Sequence, residues 1–215
     1  DMGYMPNAIA RAMITKRTGN LAFIIYGKQA PVITNPFYGP ILEAVIDKTQ
    51  QLGYSLFIAS DDDLRMPSRD VMLQKQVDGV ILASRPDMQM IGMYERRGTP
   101  IVLVNHYLDY PGVSCVLSDD HVGTQLAVKH LYEIGRRRIG LLQGNFTAFI
   151  KQRRYRAYCE ALRDCGLCYD ERIVQSIEPN ASDAYRCARE LLSLPIGVRP
   201  DALVCTNDTI AVGVI

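Results

Sequence analysis

The sequence predicts an α/β protein of two doubly wound parallel-sheet lobes with a ligand cleft between them. Short β-branched runs, such as residues 21–26 and 54–59, alternate with stretches whose apolar residues recur at helical spacing. Strand starts recur every ~22 to 35 residues, which is typical of β–α–β units and of parallel sheets. The series restarts near residues 117–120, so two lobes are predicted rather than one.

The first lobe contains five of the predicted strands. They lie at 21–26, 54–59, 77–83, 100–105 and 113–117, and the helices between them lie near 41–52, before Gln76, and at 88–97. The first helix is predicted from apolar residues three and four positions apart, such as Leu42, Val45 and Ile46. Gly53 is expected to end it, because glycine adopts the left-handed conformation that terminates helices.

The second lobe repeats the alternation. Its helices are predicted at 123–134, 153–165 and 181–194, and its strands at 138–143, 172–177 and 201–205. Because the sequence stops inside a helix just begun, we expect this lobe to be incomplete. Doubly wound sheets bind ligands beyond the carboxyl ends of their strands. The residues expected to lead into the cleft are therefore Tyr26, Ala59, Ala83, Asn105, Gln143, Ile177 and Cys205.

Composition excludes several classes of protein. The 215 residues carry a net charge of +1, with 48% hydrophobic and 22% charged residues, as in ordinary globular proteins. The longest apolar runs are too short to cross a bilayer, so no membrane partner is expected. The N-terminal residues lack the apolar core of a secretion signal, which favours the cytoplasm. With so little net charge, any contact with DNA must be local.

Six cysteines lie at irregular spacings, which favours a reducing compartment over a disulfide framework. Cys165 and Cys168 form a C-x-x-C pair, the spacing of thioredoxin-type redox sites. Such sites place the pair at the start of a helix, where the helix dipole lowers the thiol pKa. Here the pair follows a helical stretch, so a structural role is favoured over a redox role.

The N-terminal segment contains Gly3, Tyr4, Pro6, Asn7, Ala10 and Arg11, followed by Met13. These residues match the pattern Gly-Tyr-x-Pro-Asn-x-x-Ala-Arg-x-Leu, with Met13 at the leucine position. The segment therefore resembles the hinge of the LacI/GalR family of bacterial transcriptional regulators. Further similarity follows in order along the chain, at residues 35–38, 77–82, 118–123, 130–140 and 206–213. Each match is weak alone, and their order over nearly the whole chain carries the resemblance.

This resemblance implies a periplasmic-binding-protein-like core and three regions. They are a hinge helix and linker at 1–18, an N-terminal lobe at 19–117 and a C-terminal lobe at 118–215. It also implies a helix-turn-helix upstream of Asp1 and further core downstream of Ile215. The implied function is that of a ligand-responsive repressor that binds operator DNA as a homodimer or tetramer. Its effector would alter operator binding allosterically.

The resemblance assigns DNA contacts to the hinge, at Tyr4, Pro6, Asn7, Arg11 and Met13. In this family the hinge inserts its leucine between base pairs of the minor groove, and the unbranched Met13 suits that role. Arg11 lies close enough in sequence to reach phosphates. Taken alone, the segment also fits an ordinary basic N-terminal arm.

By the same resemblance, the cleft binds a sugar, a sugar phosphate or a purine. The expected effector contacts are Phe37, Tyr38, Asn105, Arg154, Ile177, Asn207 and Asp208. Aromatic rings stack on sugars or bases, Asn105 replaces a family aspartate that binds hydroxyls, and an arginine fork binds hydroxyls or anions. Ile177 replaces an aromatic residue of the family. Other interpretations stay open: the aromatics suit core packing, Arg154 a solvated helix face and Asp208 a helix cap.

Sequence motifs give no support to an enzyme. The G-x-S-x-G, P-loop and G-x-G-x-x-G motifs are absent, so no cofactor is predicted. The three histidines lack ligand spacing, and residues 61–63 read as a loop of solvated carboxylates, so no metal is predicted. The alternatives are a periplasmic-type sugar-binding protein of a transport system and a small α/β enzyme. The sequence does not identify the effector or the operator.

Overall fold

The computed structural model describes residues 17–27, 31–60, 77–85, 88–145 and 148–215. Two compact units follow one another along the chain, the first ending at Leu117 and the second beginning at Ser118. None of the helices in these ranges is long and apolar enough to span a membrane. The predicted helix before Gln76 and the acidic stretch at 61–63 lie outside the described residues.

The first unit is built on a five-stranded parallel sheet. Its strands are β1 (Asn20–Ile25), β2 (Ser55–Ser60), β3 (Gly79–Ala83), β4 (Ile101–Val104) and β5 (Val113–Val116), in the order β2-β1-β3-β4-β5. Its described helices are a 3₁₀ turn (Val32–Thr34), α1 (Tyr38–Gln51) and α2 (Met88–Glu95). In the strand register, Ile24 of β1 pairs with Ala59 of β2 on one side and with Leu82 of β3 on the other.

Both faces of this sheet are covered, which is why its central strands are apolar without alternation. Ala22, Phe23, Ile24 and Ile25 of β1 are each at most 2% exposed. Ala22 and Ile24 pack with Ile91 and Tyr94 of α2, and Phe23 and Ile25 pack on the opposite face with Tyr38 and Leu42 of α1. The sheet therefore holds α1 and α2 on opposite sides.

The second unit has a three-stranded parallel sheet in the order β7-β6-β8. Its elements are α3 (Asp120–Glu133), β6 (Ile139–Gly144), α4 (Ala148–Asp164), a 3₁₀ turn (Glu171–Ile173), β7 (Val174–Ile177), α5 (Ala181–Leu192), β8 (Ala202–Cys205) and α6 (Asp208–Val214). Ile139 and Leu141 of β6 face α3 and α4, whereas Leu142 packs with residues of α5 and α6. The predicted fold class, parallel α/β sheets with helices on both faces, is confirmed.

Several element boundaries differ from the prediction by two residues or more, and three of these differences have a clear physical reason. The helix predicted from Arg153 begins at Ala148, because buried Ile150 draws its first turn into the fold. The strand predicted from Arg172 begins at Val174, because the Asp170 side chain accepts from the Arg172 N–H and starts a 3₁₀ turn there. The helix predicted from Gly123 begins three residues earlier, where Asp119 caps it.

The C-x-x-C pair lies where the sequence predicted, after a helix rather than before one. α4 ends at Asp164, and Gly166 has a φ of 67°, a left-handed conformation that suits glycine at a helix end. Cys165 and Cys168 follow, and all six cysteines are free.

Candidate functional site

The carboxyl edge of the first sheet is shaped by two residues with positive φ. Ser84, after β3, has a φ of 74°, and Asn105, after β4, has a φ of 58°. Both still extend the sheet's ladder: the Ser84 N–H donates to the Val104 carbonyl at 3.0 Å, and the Asn105 N–H to the Val116 carbonyl at 2.9 Å. Left-handed backbone is unfavourable for most L-residues, so the sheet enforces a sharp turn at both strand ends.

Tyr38 and Asn105, two predicted effector residues, meet at this edge. The Asn105 side-chain amide donates to the Tyr38 hydroxyl at 3.0 Å. Tyr38 is only 4% exposed because its ring belongs to the core beneath α1, whereas Phe37 is 45% exposed and lies edge-on to it with centroids 5.0 Å apart. The Asn35 side-chain oxygen accepts from the N–H groups of both aromatic residues, each at 3.0 Å, which fixes the start of α1.

His106 lies beside these residues, and the sequence analysis did not select it. Its Nδ1 is buried and has no hydrogen-bond partner among the described residues. Desolvation lowers the pKa of His106 below its usual value, and the nearby positive charge of Arg85 lowers it further. The imidazole is therefore neutral at physiological pH and offers one donor and one acceptor.

Arg154 anchors a polar cluster in the second unit. Its Nε and Nη2 donate to one carboxylate oxygen of Asp120, at 3.0 and 2.7 Å, and its Nη1 donates to the Thr206 carbonyl. The side chains of Arg154 and Asp120 are 21% and 7% exposed. Arg154 is therefore held in one orientation at the carboxyl end of β8 and does not lie on a solvated helix face. Asp120 was missed as a site residue, although it lies in the 118–123 motif.

Asn207 and Asp208 follow β8 and begin α6. The Asn207 side chain caps the helix by accepting from the Ile210 N–H at 2.8 Å. The interpretation that Asp208 caps this helix is therefore wrong. The extended backbone of Asn207 places its side chain over the first turn, whereas Asp208 is exposed and is the first helical residue.

Ile177 ends β7 and lies in the hydrophobic core of the second unit. It is 8% exposed and packs in a cluster that includes Leu142 and Ile210. The residues that the structure brings together are thus Tyr38 with Phe37 and Asn105 in the first unit, and Arg154 with Asp120 and Thr206 in the second.

The predicted DNA contacts Tyr4, Pro6, Asn7, Arg11 and Met13 lie outside the described residues. The described chain starts just after them, and its first residues are fixed to the first unit. The Asp78 carboxylate accepts from the N–H and hydroxyl of Thr18, at 2.7 and 2.9 Å, and from the N–H of Gly19 at 2.9 Å.

Polar side chains at the carboxyl ends of parallel strands are the means by which doubly wound α/β proteins bind small ligands. Both units present such groups, and the described residues include no group of three or more metal-ligating side chains. The chain belongs to the family described as periplasmic binding proteins and sugar binding domain of the LacI family, whose model matches residues 22–215.

Curated relatives are transcriptional regulators. The chain is 28% identical to the HTH-type transcriptional repressor PurR of Mannheimia succiniciproducens, covering 100% of this chain and 64% of the relative. It is also 28% identical to the HTH-type transcriptional regulator DegA of Bacillus subtilis, covering 98% and 62%. The chain thus spans less than two thirds of the length of these relatives.

Among solved structures, the chain is similar to a LacI family transcriptional regulator from Lactobacillus casei with bound glucose. The two sequences are 25% identical, and the two structures match with a TM-score of 0.68. The match covers 91% of this chain and 73% of the Lactobacillus casei chain. The similarity of fold agrees with the two parallel sheets described above.

Proposed function

We propose that this chain is the effector-binding part of a ligand-responsive transcriptional repressor and that its effector is an uncharged sugar. The observation that carries the proposal is the pair of polar clusters at the carboxyl ends of parallel strands, in a chain whose relatives are repressors and regulators. The Lactobacillus casei regulator with bound glucose supports a sugar as the class of ligand.

In the first unit, Asn105 and Phe37 are the proposed sugar contacts. The Asn105 side-chain oxygen accepts from a hydroxyl group, while its amide stays on Tyr38 and keeps the side chain in position. Phe37 exposes part of its ring and can pack on the apolar face of a pyranose. Tyr38 is mostly buried, so its contribution is to orient Asn105 and Phe37.

In the second unit, Arg154 is the proposed contact, with Asn207 and Asp208 beside it. The charge of Arg154 is already matched by Asp120, which is almost fully buried. A neutral hydroxylated ligand adds hydrogen bonds without adding an unmatched charge, whereas a phosphate would compete with Asp120. This charge balance favours a sugar over a sugar phosphate. Ile177 supports the site from the core.

The hinge residues Tyr4, Pro6, Asn7, Arg11 and Met13 are proposed to bind operator DNA in the minor groove. Support comes from their sequence and from the Asp78 contacts, which join the following residues firmly to the effector-binding unit. Because these hydrogen bonds attach Thr18 and Gly19 to that unit, a change in the unit is proposed to move the start of the hinge, and effector and DNA then alter each other's affinity reciprocally.

Two hinges must lie side by side on a pseudo-palindromic operator, so we propose a homodimer, or a tetramer built from dimers. Phe57 and Ile58 of β2 are 40% and 46% exposed at the edge of the first sheet, and Leu52 nearby is 60% exposed. Apolar side chains on an edge strand suit burial against a second copy. The proposed compartment is the cytoplasm, where the operator lies.

A periplasmic-type sugar-binding protein is the second candidate, since the family's description includes such proteins. The curated relatives favour the regulator, and a transport protein has no use for a DNA-binding hinge. Catalysis is not part of the proposal, because the relatives named above are regulators and neither cluster pairs a nucleophile with a base.

A thermal-shift titration with glucose and other neutral sugars tests the effector. A ligand at 100 times its dissociation constant adds ~2.7 kcal/mol of stability, which is ~5–10 °C for a chain of this size. Asn105→Ala should remove most of the shift, while Asn180→Asp, at a helix cap in the second unit, should retain it. Failure of every neutral sugar, with a shift from sugar phosphates, would overturn the charge argument.

Operator binding is tested with the protein encoded by the complete gene. Replacing Met13→Gly should weaken binding to the operator, measured by fluorescence anisotropy, and leave the affinity for effector unchanged. Unchanged operator affinity would contradict the role of Met13 as a wedge.

A further inference from the structure

The second unit contains a cavity of about 400 Å³ beside β6 and β7, and none of the residues proposed for the effector is among its described lining residues. The described residues that line it are Gln143, Lys151, Gln152, Tyr155 and Ser176. Gln143 is the last-but-one residue of β6, Ser176 lies on β7, and the other three lie in the first half of α4. Gln152 and Ser176 are exposed, so solvent reaches the cavity from that side.

The floor of this cavity contains a buried polar atom without a partner. Gln143 is 6% exposed, and its Nε2 donates to the Ser176 hydroxyl at 3.3 Å. Its Oε1 is buried and accepts no hydrogen bond from any described residue. A buried amide oxygen that accepts no hydrogen bond destabilises the fold, and such groups are rare unless a ligand or water binds them. The oxygen requires a donor, such as a hydroxyl group.

Lys151 is the one basic residue in the described lining of this cavity. Lys151 lies in the first turn of α4, where the helix dipole adds positive potential, and it forms no ion pair with a described acidic residue. The described lining includes no carboxylate. The hydroxyl of Tyr155 donates to that of Tyr169 at 3.0 Å, and this bond, together with desolvation, raises the pKa of Tyr155 above its usual value. Tyr155 therefore stays neutral and contributes an apolar ring surface.

We infer that this cavity binds a small hydroxylated anion, with a hydroxyl group on the Gln143 amide oxygen and a phosphate or carboxylate at Lys151. The chemistry differs from that of the effector clusters, where Asp120 neutralises the arginine. The site uses none of the proposed effector residues, so it can fail or hold independently of the proposed function. A chain with both sites responds to a neutral and to an anionic metabolite.

Nitrogen-15 NMR of the 215-residue chain tests this site, with glycerol 3-phosphate as the probe. The side-chain amide resonance of Gln143, assigned by its loss in Gln143→Met, should shift on titration. Lys151→Met should weaken binding at least tenfold. Lys129→Met, which removes an exposed lysine from α3, and Asn105→Ala, in the first unit, should bind the probe like the wild type.

Two further titrations separate the chemical requirements. Glycerol lacks the anion and inorganic phosphate lacks the alcohol, so each should bind at least tenfold more weakly than glycerol 3-phosphate. Equal binding of glycerol would overturn the role of Lys151, and equal binding of phosphate would overturn that of Gln143. A Gln143 resonance that responds to none of the three probes means that only water occupies the cavity, and the inference is then wrong.

Discussion

Asp120 shows how one side chain can decide the geometry of a binding cluster. It accepts two hydrogen bonds from Arg154, and the same guanidinium reaches the Thr206 carbonyl. Both members are substantially buried, unlike the exposed ion pair of Lys129 and Glu133 on the same helix, at 3.9 Å. Buried pairs lose much more than exposed pairs when one partner is removed.

We therefore expect Asp120→Ala to lower the free energy of unfolding by about 2–3 kcal/mol, because Arg154 is left partly buried without its carboxylate. Glu133→Ala should change it by less than about 0.5 kcal/mol. Urea unfolding followed by circular dichroism gives both values. Equal effects from the two substitutions would show that the Asp120–Arg154 pair is as weak as a surface pair.

The hydrogen bonds of Asp78 predict that the stability of the first unit depends on pH. Desolvation raises the pKa of Asp78, but hydrogen bonds from Thr18 and Gly19, with the charge of Arg17, outweigh it and place the folded pKa below the ordinary 3.8. A carboxyl whose pKa is lowered by folding stabilises the fold above its unfolded pKa and loses that contribution as pH falls through the folded value.

The wild type should therefore exceed Asp78→Asn in urea midpoint at neutral pH, and the difference should shrink below a pH of about 4. The midpoints of both proteins, measured from neutral to acidic pH, check this expectation. A difference that persists undiminished in acid would mean that the charge of Asp78 contributes nothing.

At the scale of elements, helix starts in the second unit are fixed by local side chains. Asp119 caps α3, Asn180 caps α5 and Asn207 caps α6, each by accepting a backbone N–H. At the far end of α6, Gly213 lets this helix approach α5. A Cβ at that position would overlap the Ala181 carbonyl oxygen and lie 2.7 Å from the Ala184 Cβ.

Gly213→Ala should therefore destabilise the second unit by about 1–3 kcal/mol, because α5 and α6 must separate. Gly123→Ala is the matched control, since a Cβ on this residue of α3 meets nothing within 4 Å. It should stabilise the helix by up to about 1 kcal/mol. Thermal melting distinguishes the two. If Gly213→Ala left the melting temperature unchanged, α6 would pack more loosely against α5 than described.

Local sequence signals predicted most elements but not all of their boundaries. Gly53 correctly marked the end of α1, because its left-handed conformation depends only on the local sequence. The start of α4 was missed by five residues, since Ile150 joins the helix through burial against the rest of the unit and not through propensity. The Arg154–Asp120 contact was missed for a similar reason: periodicity places Arg154 on α4 without identifying its neighbour 34 positions earlier.

On the scale of the whole molecule, each unit has its own core. Leu103 lies in the core of the first unit and Leu141 in that of the second, and both are fully buried. The meeting of Tyr38 and Asn105 was predictable from the strand–helix order alone, because both follow strands of the first sheet. The buried Gln143 Oε1, which accepts no hydrogen bond from a described residue, was not predictable, because burial of one amide atom depends on the packing around it.

Separate cores predict separable responses to core truncation. Leu103→Ala and Leu141→Ala should each lower the free energy of unfolding by about 2–5 kcal/mol. In hydrogen exchange, Leu103→Ala should speed exchange mainly in β1, β3 and β4, and Leu141→Ala mainly in β6 to β8. Uniform acceleration across both sheets from either substitution would show that the two units unfold as one.

The five strands of the first sheet that the structure describes all lie before Leu117, and no described strand of the second sheet is interleaved with them. On the ribosome, these five strands can therefore pair with one another while the described strands of the second sheet are still being translated, since domains generally fold as units and N-terminal ones first. A rare-codon pause placed shortly after Leu117 would give that sheet time to form. The order of synthesis thus protects its apolar central strands from mispairing with those of the second unit.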